Sequence, residues 1–274
     1  MPTLNTIDTR IDDRVLYATL NTPPLNMIGP AMVRDLITLV HHLETHADDV
    51  GVVVFDSASP DFFSAHIDMT QVSALRPELA RLEPEAKLGT LFSRISTLNQ
   101  VSIAAIGGRV RGASSEFVLA CDMRFASEGA LFGQPEVGVG AIPGAGAVQH
   151  LTRLMGRGRA LEALVGADDF PADLAERYGW INRALPESEL AGFVTALARR
   201  IAGFPPAAIA DAKRRINEIA LPAVDALHED SRLFLAGIAR PESRDRIAML
   251  FERGLQTNSP LEAELGAALE DLQV

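Results

Sequence analysis

The stretch from Val101 to Gly146 limits most tightly what this chain can fold into. It opens with Val101-Ser-Ile-Ala-Ala-Ile106, short, apolar and closed by Gly107-Gly108, which reads as a buried strand. Gly108-Arg-Val-Arg-Gly112-Ala-Ser-Ser-Glu116 then turns into the apolar run Phe117–Cys121. Ser114 and Ser115 are side chains that cap helices, so the pattern predicts a helix beginning there with Glu116 in its first turn. A second strand, Met123–Ser127, precedes a loop carrying Phe132-Gly-Gln-Pro-Glu136, and the glycine-rich Gly138–Gly146 leads into another helix. Strands alternating with helices require a layered α/β domain.

Two glutamates, Glu116 and Glu136, thus stand at element junctions, where a scaffold exposes working groups. Each has an ordinary explanation. Glu116 compensates a helix dipole, worth a few tenths of a kcal/mol or ~0.3–1, and Glu136 is a solvated loop residue. What sets them apart is their company: glycines beside each let backbone N–H groups approach a ligand.

The 274 residues suit one large domain, with 47% hydrophobic and 22% charged residues giving a sizeable core. A net charge of -11 argues against nucleic acid or an anionic membrane as partner. An anionic ligand would have to rely on local amides and a few arginines. The single Cys121 excludes an internal disulfide and a four-cysteine zinc site, and suits a small buried core residue. The first residues carry no basic or apolar leader, and no run approaches the ~20 apolar residues of a membrane helix. A soluble cytoplasmic protein is expected.

Elsewhere, Arg14–Leu20 and Val50–Phe55 have strand composition. A helix starting at Gly29-Pro30 has an apolar face of Met32, Leu36, Leu39, Val40 and Leu43. Met69–Lys87 lacks steady periodicity and reads as a mobile loop or irregular helices, followed by a helix over Leu88–Leu98. Ala147–Met155 and Arg159–Gly166 read as helices separated by Gly156, and after Ile201 only helical patterns remain: Ala207–Ala220, Val224–Ile238 and Ser243–Gly254. His42 and His46 have metal-compatible spacing, but Glu44 stands in the wrong position for a zinc-protease motif, so they read as a solvated helix end and no metal site is expected. Gly144-Ala-Gly146 lacks the Gly-Lys-Ser/Thr of a phosphate loop, and no Gly-x-Ser-x-Gly elbow supports a serine hydrolase.

Gly107–Glu116, Cys121-Asp122, Phe132–Glu136 and Gly140–Gly146 together resemble the signature of the crotonase family, the enoyl-CoA hydratases and isomerases, and the resemblance covers most of the chain. It implies a crotonase-like spiral of strand-strand-helix turns over residues 1–200. It also implies a helical region, 201–274, that covers the active site and packs copies into homotrimers, often paired as hexamers. Asp61-Phe-Phe-Ser-Ala-His-Ile-Asp68 is similar to the family segment Phe-x-Ala-Gly-Ala-Asp, with His66 where glycine is usual. By that resemblance the N–H groups of Ile67 and Ala113 form an oxyanion hole, with Ala65, His66, Asp68, Gly112 and Gly144 around the substrate. A positive φ at residue 66 or 113 would strain a non-glycine residue by ~1–2 kcal/mol. His66 is expected to turn its side chain away from the pocket. Glu116 would activate water and Glu136 supply the α-proton, with Gly144 N–H helping to place the water or a glutamate. Lys213, Arg214 and Arg215 read as an exposed basic helix face, the alternative being contact with a coenzyme A phosphate. The implied activity is hydration of a 2-enoyl-CoA thioester, an acyl-CoA substrate whose coenzyme A is the only cofactor-like group. The alternatives are an enoyl-CoA isomerase relying on Glu136 alone and a non-catalytic acyl-CoA binder.

Overall fold

A computed structural model describes residues 1–46 and 49–272. A hairpin of β1 (Ile7–Asp12) and β2 (Val15–Leu20) leads into α1 (Pro30–Thr45), whose Pro30 sits at a helix start where no N–H is needed. The buried face of α1 includes all five residues of the periodic apolar stripe. β1 was not legible, because its burial is confined largely to Ile7 and it owes its place to pairing with β2.

Three similar turns follow. β3 (Val52–Ser57) runs on to β4 (Phe62–Ser64), then to α2 (Val72–Leu79) and α3 (Leu88–Thr97). β5 (Val101–Ile106) runs on to β6 (Arg109–Arg111) and α4 (Gly112–Ala120). β7 (Met123–Ser127) runs on to β8 (Leu131–Gly133), a 3₁₀ turn over Val137–Val139, and α5 (Ala147–Gly166), broken at Gly156. The first strand of each turn enters a six-stranded sheet, β1-β2-β3-β5-β7-β10, and the second enters a four-stranded sheet, β4-β6-β8-β9. The sheets are completed by β9 (Asp169–Pro171) and β10 (Arg183–Leu185), separated by α6 (Ala172–Tyr178). This is the spiral of the crotonase fold: each crossover climbs one strand in both sheets, and β3, β5 and β7 pair in parallel.

Helix α7 (Glu187–Ala202) covers one face of the large sheet through Leu190, Val194 and Ala198, packed with Val52, Val54 and Ile103. β3 and β5 are therefore apolar on both faces. Beyond it come α8 (Pro206–Ala220), α9 (Val224–Ile238), α10 (Pro241–Glu252), α11 (Pro260–Ala263) and α12 (Leu265–Glu270).

Helix α4 departs from the expected start at Ser114 or Ser115. It begins at Gly112 with Arg111 as the residue before it. Neither serine caps: the Ser114 hydroxyl pairs with that of Ser64 at 2.5 Å, and Ser115 Oγ has no partner among the described residues. Gly112, at φ +51°, lets the chain turn out of β6 straight into the helix, which side-chain capping chemistry does not reveal.

Candidate functional site

A cavity of about 740 Å³ opens between α2–α3 and the C-terminal helices. Ile67, Gly112, Ala113, Glu116, Glu136, Gly144 and His66 all line it. Ala65 and Asp68 do not. Ala65 is buried against Leu25 and Phe62, and the Asp68 carboxylate accepts from the Thr70 N–H and hydroxyl and from the Gln71 amide.

The N–H groups of Ile67 and Ala113, both at this cavity, have no protein acceptor among the described residues. Ala113 lies in the first turn of α4, where a helix has no carbonyl to offer its amides. Ile67 forms an isolated parallel bridge with Ile28, in which Ile28 N–H donates to His66 O (2.9 Å) and Asp68 N–H donates to Ile28 O (3.1 Å). That pattern turns the N–H of Ile67 itself away from the neighbouring strand. The Ser64–Ser114 hydroxyl contact ties the two donor segments together at their bases. Neither His66 nor Ala113 adopts a positive φ, so neither carries the strain that would demand glycine.

The two carboxyl groups sit in unequal surroundings. Glu116 Oε1 accepts N–H bonds from Ala145 (2.7 Å) and Ala147 (3.0 Å), at the entrance to α5. Burial pushes its carboxyl up to about 7, while those amides and that of Gly146 pull it back towards ionisation. Glu136 sits between β8 and the 3₁₀ turn, and its Oε2 has no partner among the described residues. Burial first, and then the Glu116 charge, hold the Glu136 carboxyl well above its ordinary value. A proton shared by the pair therefore belongs on Glu136, and the negative charge on Glu116. Gly112 leaves room for the Glu136 carboxyl: a Cβ there would lie 3.0 Å from its Oε1.

Of the two expected roles of the Gly144 N–H, placing the water or a glutamate, the second falls to its neighbours. The amides holding Glu116 belong to Ala145 and Ala147, and the Gly144 carbonyl accepts the Ser231 hydroxyl at 2.5 Å. A Cβ at Gly144 would meet Phe234 Cβ at 2.6 Å, so glycine here admits α9.

Lys213 also departs from its expected exposed position. It is buried, with Nζ 2.7 Å from both Gln100 O and Asp122 Oδ2, while Arg214 and Arg215 pair with Asp211 and Glu218 on their own helix. Among the described residues, the arginine and lysine lining the cavity are Arg76 and Lys87, from the stretch expected to be a mobile loop or irregular helices, part of which forms α2. Pro77 lies inside that helix. His42 and His46 stack with ring centroids 4.3 Å apart at the end of α1. Among the described residues no group of three or more His, Cys, Asp or Glu is placed to hold a metal ion, and no helix is long and apolar enough to cross a membrane.

His66 turns its ring from the cavity into the wall. Nδ1 lies 2.8 Å from Ile67 O, and Nε2 lies 3.1 Å from Glu262 Oε1. Sequence reasoning missed Glu262 altogether, because His66, whose ring it meets, lies 196 residues away along the chain.

Residues 10–257 match the sequence model described as enoyl-CoA hydratase/isomerase. The short-chain-enoyl-CoA hydratase of Clostridium acetobutylicum is 30% identical over 91% of this chain and 96% of its own length. The 2,3-dehydroadipyl-CoA hydratase of Escherichia coli is also 30% identical, over 88% and 93%. A crystal structure of a candidate enoyl-CoA hydratase from Streptomyces avermitilis superposes with a TM-score of 0.98 at 51% identity, covering 100% of this chain and 99% of that one.

Proposed function

The chain belongs to the enoyl-CoA hydratase/isomerase family of the crotonase superfamily, and from that premise we propose that it adds water across the double bond of a 2-enoyl-CoA thioester. The observation that carries this reading is the convergence of two unpartnered N–H groups and two unequal carboxyl groups on one cavity. As hydroxide equivalent attacks the β-carbon, negative charge grows on the thioester oxygen. The N–H groups of Ile67 and Ala113 meet that charge, each worth ~10²–10³ in rate. Glu116, whose ionised form its amides stabilise, takes a proton from water, and protonated Glu136 gives one to the α-carbon. Only the elements of water are added, so the reaction needs no redox cofactor, and coenzyme A enters as part of the substrate.

Identity does not choose the acyl group, since the two relatives at 30% are named for different substrates. The cavity supports an apolar one: Leu75, Leu79, Phe234, Ile238, Leu250 and Leu269 line it, and the lining cations Arg76 and Lys87 are the groups we assign to coenzyme A phosphates. Exposed Ile216, Ile219 and Val224 on the C-terminal helices support assembly into a homotrimer or hexamer.

Isomerisation is a second reading, favoured by the free Oε2 of Glu136, which alone can carry a proton between two carbons. Glu116→Gln separates the two. Hydration of 2-enoyl-CoA should fall by ~10²–10⁴-fold with the fold intact by circular dichroism. Persistence of 3-enoyl to 2-enoyl conversion as the main activity would replace hydratase by isomerase.

A further inference from the structure

The region behind the oxyanion donors holds four charged side chains that the proposed chemistry does not use. Arg111 is fully buried and bidentate to Asp169, with Nε–Oδ1 and Nη2–Oδ2 both 2.6 Å. Its Nη1 donates to Glu262 O at 2.8 Å and its Nη2 to Ala263 O at 2.9 Å. Glu262, also fully buried, accepts the Gln256 N–H at 2.8 Å on Oε2, which is also the hydrogen-bond partner of His66 Nε2 at 3.3 Å, while Oε1 lies 3.1 Å from the same nitrogen. The Gln256 side-chain amide returns to Ile67 O at 3.2 Å, the carbonyl that His66 Nδ1 also meets. One short C-terminal helix, α11, thereby grips the residue before one oxyanion donor and the residue that precedes the helix bearing the other.

We propose that His66 and Glu262 form a buried ion pair that positions the Ile67 N–H against that of Ala113, so that the C-terminal segment sets the geometry of the oxyanion hole. Both ring nitrogens of His66 face acceptors only, a carbonyl oxygen and a carboxylate, so both carry protons and the ring is an imidazolium. The buried group is then balanced, with Arg111 and His66 against Asp169 and Glu262. Other titratable groups around His66 are Glu136, across Gly112, and Asp68, which is engaged by Thr70 and Gln71. Although burial disfavours the charged ring, Glu262 and the Ile67 carbonyl raise its proton affinity above the ordinary histidine value, and Glu262 is correspondingly held low. These residues touch no reacting atom; they act through the Ile67 peptide.

The inference rests on the hydratase reading, but its first readout needs no substrate. In the full-length protein with ¹⁵N-labelled histidine, the His66 ring should show an imidazolium signal at pH 7. Glu262→Gln should lower its titration midpoint by about one pH unit or more. In turnover of a 2-enoyl-CoA the same variant should lower kcat about tenfold with KM changed less than threefold. Its alkaline limb should move to lower pH, and Glu262→Asp should restore part of kcat. A neutral His66 ring at pH 7 in the unaltered protein overturns the proposal, whether or not the variant folds. So does Glu262→Gln with kcat and alkaline limb unchanged. Absence of any enoyl-CoA turnover in the unaltered protein would instead remove the hydratase reading and leave the ring measurement standing.

Discussion

The two segments that bring an N–H to the cavity reach it by opposite means. Gly112–Glu116 is local: one helix turn supplies the donor Ala113, the carboxylate Glu116 and the glycine that admits Glu136. Ser64–Asp68 has no helix behind it. Ile67 is fixed by a single bridge to Ile28, by Gln256 and by His66, whose own partner is 196 residues away. A donor in a buried helix is held by its own backbone ladder, whereas a donor in a bridge is only as well placed as the distant segments around it. The helical side should therefore respond to backbone substitutions and the bridged side to changes far along the chain.

Ala113→Pro gives the largest expected effect on this contrast. Proline is tolerated in a first helical turn, where its missing N–H breaks no helix bond. It deletes the oxyanion donor, so kcat for 2-enoyl-CoA hydration should fall by ~10²–10³ with helicity unchanged by circular dichroism. Near-normal turnover would place the thioester oxygen elsewhere.

The pH profile of kcat sharpens the contrast next. Glu116, on the helical side, must be ionised to act as base. Activity should therefore drop roughly tenfold per unit as pH falls below about 7. The alkaline limb belongs to Glu136 and to the bridged side, where His66 loses its proton; both are held above their ordinary values. A flat profile between pH 5 and 7 would contradict the assignment of Glu116 as the base.

Gly112→Ala should have the smallest effect. Its φ of +51° costs a residue with a Cβ ~1–2 kcal/mol, and that Cβ would press on Glu136. Denaturant unfolding should show this loss with an unchanged slope; an unaltered midpoint would mean that the turn relaxes.

Much of this was legible along the chain because it rests on local rules. The strand from Val101 to Ile106, helix α9 and the interruption at Gly156 lie where apolar runs and glycine placed them. Glu116, Glu136, Ile67 and Ala113, singled out by the family resemblance, line one cavity. The misreadings share a cause. Ser114 has capping chemistry but is used to hold Ser64, and Lys213 lies in a basic run but is buried against Asp122. Each role depends on a partner that no nearby residue signals.

The order of elements, the apolar faces and the motif residues were determined by the sequence itself, since periodicity and backbone freedom act over a few residues at a time. Which carboxyl holds the proton, which cations face the cavity and what His66 pairs with were decided by tertiary structure alone. Those properties depend on desolvation and on charges brought together from opposite ends of the chain, and neither exists until it has folded.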